Sequence, residues 1–107
     1  MYHPLIAQEK WNAFSTIEQM ANIGSEVSRA INWGKKDVES MRLAAYRALE
    51  LLTLSIKDSK NTRGLKELLR VQECIADYFF GENIYQFTDA WWQKYFLEYA
   101  IAARRGK

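Results

Sequence analysis

The sequence predicts an all-α chain folded as an antiparallel up-and-down four-helix bundle, and three observations lead there. Apolar residues recur at spacings of three and four through four long segments, as they do in helices with one buried face. No segment alternates apolar and polar residues as a half-buried strand would. Breakers are scarce: Pro4 is the single proline, and the glycines fall at 24, 34, 64, 81 and 106. Short loops between long helices make sequential neighbours antiparallel.

The first segment spans 5–33. Pro4 suits the first turn of a helix, where a missing N–H leaves no bond unmade. Ile17, Met20, Ala21, Gly24, Val27, Ser28 and Ile31 mark the predicted core face. Ser15 followed by Glu18 has the form of a capping box, so the segment either runs on or breaks near 12–15 and restarts. Unbroken, it is about 29 residues, or about 43 Å at 1.5 Å per residue. That length would lay Tyr2, Trp11 and Phe14 across a partner. Gly34 is placed to take the left-handed conformation that ends a helix.

The second segment, 37–56, opens on Asp37 as N-cap, with Val38, Met41, Ala45, Ala48, Leu49, Leu52 and Ile56 on its core face. Residues 57–61 read as a polar loop. The third helix opens near Thr62, carries Leu65, Leu68, Leu69, Gln72, Ile75, Ala76 and Phe79 inward, and stops at Gly81. Thr88 and Asp89 cap the fourth, whose predicted core face is Trp91, Trp92, Tyr95, Phe96, Tyr99, Ala102 and Ala103. Arg104, Arg105 and Lys107 place positive charge at its C-terminal end, where the helix dipole favours it.

Composition narrows the function. A chain of 107 residues, 49% hydrophobic and 26% charged, makes one globular domain over 1–107. A net charge of +2 is too weak to call for nucleic acid or an anionic membrane. No apolar run approaches the roughly 18 residues of a membrane span, and the N-terminus lacks the form of a signal peptide. The lone cysteine, Cys74, has no internal partner, which fits the cytoplasm. The one histidine, His3, lies at the N-terminal end, which leaves little room for metal sites or His-dependent catalysis. No glycine-rich phosphate loop, Ser–His–Asp set or zinc spacing occurs, so the expectation is a non-enzymatic protein with no cofactor and no metal.

Three helices carry a second line of large apolar residues mixed with charges. These are Leu43, Arg47, Glu50 and Leu54; Glu67, Val71, Cys74 and Tyr78; and Ala90, Lys94, Leu97 and Ile101. Such lines suit a protein–protein interface, and a symmetric homodimer is the commonest way to cover one. The predicted interface residues are therefore Leu43, Leu54, Val71, Cys74, Tyr78, Leu97 and Ile101, with Cys74 as an inert thiol. Scattered surface apolar residues, which need no partner, are the plain alternative.

Among polar groups, Arg29, Arg42 and Arg47 with Tyr46 and Glu50 form the candidate ligand-binding set. Guanidinium forks suit phosphate and carboxylate alike, and surface ion pairing is the alternative. The aromatic run of Tyr85, Phe87, Trp91, Trp92, Tyr95, Phe96 and Tyr99 reads as core, since a base-stacking platform calls for interleaved cations and only Lys94 lies within it. Lys66, Arg70, Glu73 and Asp77 read as a solvated helix face.

The stretch from Met20 to Ile31 (MANIGSEVSRAI), with Arg47-Ala48-Leu49-Glu50-Leu51-Leu52 and the aromatic close, resembles a family of small uncharacterised prokaryotic all-helical proteins. In architecture the chain is also similar to the HEPN superfamily, whose prokaryotic members often accompany minimal nucleotidyltransferases. HEPN ribonucleases place a His four to six residues after an Arg, and here no Arg is followed by a His. The resemblance thus implies a non-catalytic member that binds a nucleotidyltransferase-type partner or a nucleotide, and keeps nucleic acid as the alternative ligand.

Overall fold

The computed structural model describes residues 7–105, and within them every regular element is helical. The order is α1 (Gln8–Asn12), α2 (Thr16–Trp33), α3 (Val38–Lys57), a 3₁₀ turn (Ser59–Gly64), α4 (Leu65–Phe80) and α5 (Asp89–Arg105). Tyr2, His3, Pro4 and Lys107, singled out from the sequence, lie outside the described residues.

Local chemistry sets most helix ends. Ser15 Oγ accepts from the Glu18 N–H at 3.1 Å while Glu18 Oε1 accepts from the Ser15 N–H at 3.0 Å, a complete capping box. The first segment therefore breaks, and α1 and α2 are separate helices. Asp37 caps α3 by accepting from the Ser40 N–H at 3.2 Å, and Thr88 Oγ1 accepts from the Trp91 N–H at 3.1 Å to start α5. Gly34 ends α2 at φ 43°, a positive value that L side chains rarely adopt.

Each long helix runs antiparallel to its neighbour. Thr53 of α3 meets Gln72 of α4 at 2.9 Å, and one end of that pair is closed by Tyr46 of α3 against Phe80 of α4. At the start of α2, Phe14 and Glu18 share a hollow with Ala103 and Arg104 from the end of α5. The core is built from Met20, Ile23 and Val27 of α2, Ala48, Leu51 and Leu52 of α3, Leu68, Val71, Cys74 and Ile75 of α4, and Trp92 and Phe96 of α5. Trp11 of α1 joins it, so this ring closes its own chain's core and does not lie across a partner.

Two corrections follow. The inward face of α4 is turned by about one residue, roughly 100°, from the predicted one. Val71 and Cys74 are buried, while Leu69 is exposed. Apolar residues surround most of α4, so two overlapping stripes fit its sequence. The helix lies between α3 and α5, and Tyr78, against the Trp92 ring at 6.2 Å, draws the face that carries Val71 and Cys74 toward α5. Ile17, Val38 and Trp91, placed inward from the sequence, are likewise exposed.

Four polar side chains are also buried: Gln19, Ser55, Asp58 and Asn61. Gln19 Nε2 donates to the Trp11 carbonyl at 3.0 Å and to Asp58 Oδ2 at 2.9 Å. Its Oε1 accepts from Asn61 Nδ2, which also reaches the Ser55 carbonyl at 2.8 Å. Trp11 Nε1 donates to Ser55 Oγ at 3.0 Å, and Lys60 pairs with Asp58 and donates to the Asn12 carbonyl. The network binds α1, the start of α2, the end of α3 and the 3₁₀ turn into one closed end. Every member has a partner, the condition under which buried polarity is tolerated.

Candidate functional site

Of the predicted ligand-binding residues, Arg29, Arg42 and Tyr46 are exposed, and Arg47 and Glu50 are half-buried. Arg29 stands on α2 and the other four on α3. Arg29 pairs with Glu26 at 3.3 Å and lines the hollow between α2 and α5. Tyr46 lies on α3 with its ring against Phe80 of α4, at 4.5 Å between centroids. Among the described residues Arg42 and Arg47 form no ion pair. Glu50 Oε1 is buried without a hydrogen-bond partner. No three His, Cys, Asp or Glu side chains among the described residues group to hold a metal ion.

The predicted interface residues divide in two. Val71 and Cys74 belong to the core, and Leu54 and Tyr78 pack against it. Leu43, Leu97 and Ile101 stay exposed, at 43%, 51% and 39%. Leu97 flanks a shallow hollow whose other lining groups include Ala21, Gly24, Ser25, Ser28 and Ala100. Gly24 lets α2 and α5 approach until Phe96 lies directly over it. Large groups beside a small-residue floor are the relief against which another helix can pack.

The α4–α5 seam has the opposite character. Here long side chains span the gap: Tyr78 donates to Asp89, and Tyr95 and Tyr99 both donate to Glu67 Oε2, Tyr99 at 3.3 Å. Burial, followed by the Glu67 carboxylate, holds the Tyr95 phenol protonated well above its usual range. Burial and Asp89 do the same for Tyr78. Trp91, 43% exposed, stacks on Tyr95 with the rings 8° apart and centroids at 5.3 Å. A groove of about 600 Å³ opens along α5 beside the start of α2, lined by Ile17, Trp91, Lys94, Tyr95, Glu98, Tyr99 and Ala102. The sequence marked the aromatic run as core. Trp92 and Phe96 are, whereas Trp91 and the edges of Tyr95 and Tyr99 line this groove.

Compared with protein families, curated proteins and solved structures, the chain shows no significant match. No helix among the described residues is long and apolar enough to cross a membrane.

Proposed function

We propose that this chain is a non-enzymatic interaction protein, an up-and-down four-helix bundle that pairs with a second copy of itself through the α2–α5 face. The observation that supports this is the exposure of Leu97 and Ile101 on α5, Leu97 flanking a floor of small residues. A two-fold axis there would bring α5 against its equivalent, each copy supplying the same ridge and hollow. The free, buried Cys74 suits work in the cytoplasm. From the HEPN-like architecture, the further partner class is a nucleotidyltransferase-type protein. Arg29 pairs with Glu26 and Tyr46 packs on Phe80, engagements within the chain that favour this reading over the nucleic-acid one.

Light scattering after size exclusion tests the reading. The wild type should have twice the chain mass at tens of micromolar, and Leu97→Glu should halve it without changing the far-ultraviolet circular dichroism. A wild type that remains monomeric at about 100 μM, an affinity weaker than roughly 5–6 kcal/mol, would overturn self-association.

A further inference from the structure

We infer that the corner joining α4 to α5 docks a basic, amphipathic segment of a partner protein, with Ile84 and Tyr85 as its apolar contact and Glu73, Asp77 and Glu82 as its charge. This rests on the reading of the chain as an interaction protein, but the face differs from the α2–α5 pairing and can fail separately.

The apolar surface starts at a turn of unusual composition. Gln86 N–H donates to the Asn83 carbonyl at 3.0 Å, closing a turn with Ile84 and Tyr85 at its centre. Turn centres favour Gly, Pro, Asn, Asp and Ser. Ile84 there is 68% exposed, more than any other large apolar side chain among the described residues.

The turn is also held in place. Asn83 Oδ1 accepts from the Phe87 N–H at 3.0 Å, and Asn83 Nδ2 donates to the Phe87 carbonyl at 2.9 Å. Tyr85 donates its N–H to Asp77 Oδ2 at 3.4 Å and its phenol proton to Glu73, both on α4. Glu73, Asp77 and Phe80 share one face of that helix, so Tyr85 is fastened along the line that leads to Phe80. The exposed rings of Phe80 and of Tyr46 on α3, 4.5 Å apart at their centroids, extend the surface. A contact surface already ordered binds without the entropy cost of ordering it.

Charge selects the occupant. From Val71 to Gln93 the chain has four carboxylates, Glu73, Asp77, Glu82 and Asp89, and no lysine or arginine, in a protein of net charge +2. The ion pairs among the described residues are Arg29–Glu26 and Lys60–Asp58, so none of the four is neutralised by one. Arg70 and Lys94 flank the stretch in sequence, and Lys35, Lys36 and Arg42 stand at the same end of the bundle, yet all leave these carboxylates unpaired. Asp77 lies in the last turn of α4, which has no basic residue, and Glu82 follows just beyond, where the helix dipole favours cations. Asp77 has a local use in holding Tyr85, but nothing among the described residues accounts for Glu82. An apolar turn rimmed by carboxylates departs from the rules of both turn and helix end, as sequences do where they serve binding and not folding. Its complement is a Lys or Arg beside an apolar side chain.

The test titrates a capped, amphipathic leucine–lysine helical peptide into the full chain and follows backbone amide signals by nuclear magnetic resonance. Signals of residues 82–86 should move saturably, and a leucine–glutamate peptide of the same pattern should leave them in place. Ile84→Ser, and separately Glu73→Gln combined with Glu82→Gln, should each weaken binding about tenfold, within the range of an interface anchor, with the dispersed spectrum of the folded chain retained. Leu97→Glu, which breaks the α2–α5 pairing, should leave the affinity unchanged. Equal binding of the glutamate peptide, unaltered affinity in the Ile84 and Glu variants, or shifts confined to other faces would overturn the proposal. So would movement of the same signals with the concentration of Leu97→Glu alone, which would mark the corner as a contact between copies of the chain.

Discussion

Gly24 and Phe96 meet so closely that a Cβ atom at position 24 would lie 2.7 Å from the Phe96 Cβ and 2.9 Å from two of its ring carbons. The Phe96 Cβ is fixed to the backbone of α5, so no rotamer relieves the overlap. Gly24→Ala gains about 1 kcal/mol of helix propensity. It also forces α2 and α5 apart, and overpacking of this kind costs about 1–3 kcal/mol. The variant should melt several degrees below wild type. A raised melting temperature, the ordinary result of Gly→Ala within a helix, would mean that the two helices are less tightly engaged.

Removing Gln19 should be more damaging than its polarity suggests. Gln19→Leu keeps the volume but strips partners from the Trp11 carbonyl, from Asp58 and from Asn61. Leaving such groups unpaired costs about 1–3 kcal/mol for each one fully desolvated. Urea denaturation should give a loss of about 2–4 kcal/mol on that basis, with the slope unchanged.

Asp58 predicts acid sensitivity. Burial alone would raise its pKa above the ordinary 3.8, but hydrogen bonds from the Lys60 ammonium, the Gln19 amide and the Lys60 N–H together hold it below. A depressed folded-state pKa adds stability that is full above the unfolded value and is lost as pH falls through the folded one. The difference in melting temperature between wild type and Asp58→Asn should therefore be largest near neutrality and shrink below pH 4.

Leu43 and Leu54 share a sequence line but not an environment. Leu43→Glu should change monomer stability by no more than about 0.5 kcal/mol, since the side chain is already in water. Leu54 packs against the core, so Leu54→Glu should cost about 2 kcal/mol or more. Denaturation midpoints that move equally for the two variants would contradict this division.

Cys74 should be chemically silent in the native chain. Burial pushes its thiol pKa up, and although Arg70 lowers it, Glu73 and Asp77 raise it further. A disulfide-exchange reagent should label it slowly in buffer and at once in denaturant. Rapid native labelling would show that α4 opens.

Three helix starts were legible because each depends on residues close in sequence: Ser15 with Glu18, Asp37 with Ser40, and Thr88 with Trp91; the expected start near Thr62 was not, since a 3₁₀ turn over Ser59–Gly64 delays α4 to Leu65. The rotation of α4 was not, since Leu69 and Val71 serve equally well until the number of neighbouring helices is known. Nor was the buried network, because Gln19 and Asn61 read as surface residues by type. The available signal was position: Gln19 precedes Ile23, Val27 and Ala30 on one helical face, a polar residue at the head of a buried line. The groove along α5 was not legible because Trp91, Tyr95 and Tyr99 read as core by residue type.

The same pairing bears on the order in which the chain is completed at the ribosome. Phe96 seals α2 across a separation of more than 70 residues, and α2 is synthesised long before α5. Until α5 emerges, the Gly24 face of α2 has no cover from its own chain. Such distant closure is slow compared with the local pairing of α2 with α3. A nascent chain stalled before α5 would present that small-residue face as a binding site for chaperones or for the α5 of another molecule.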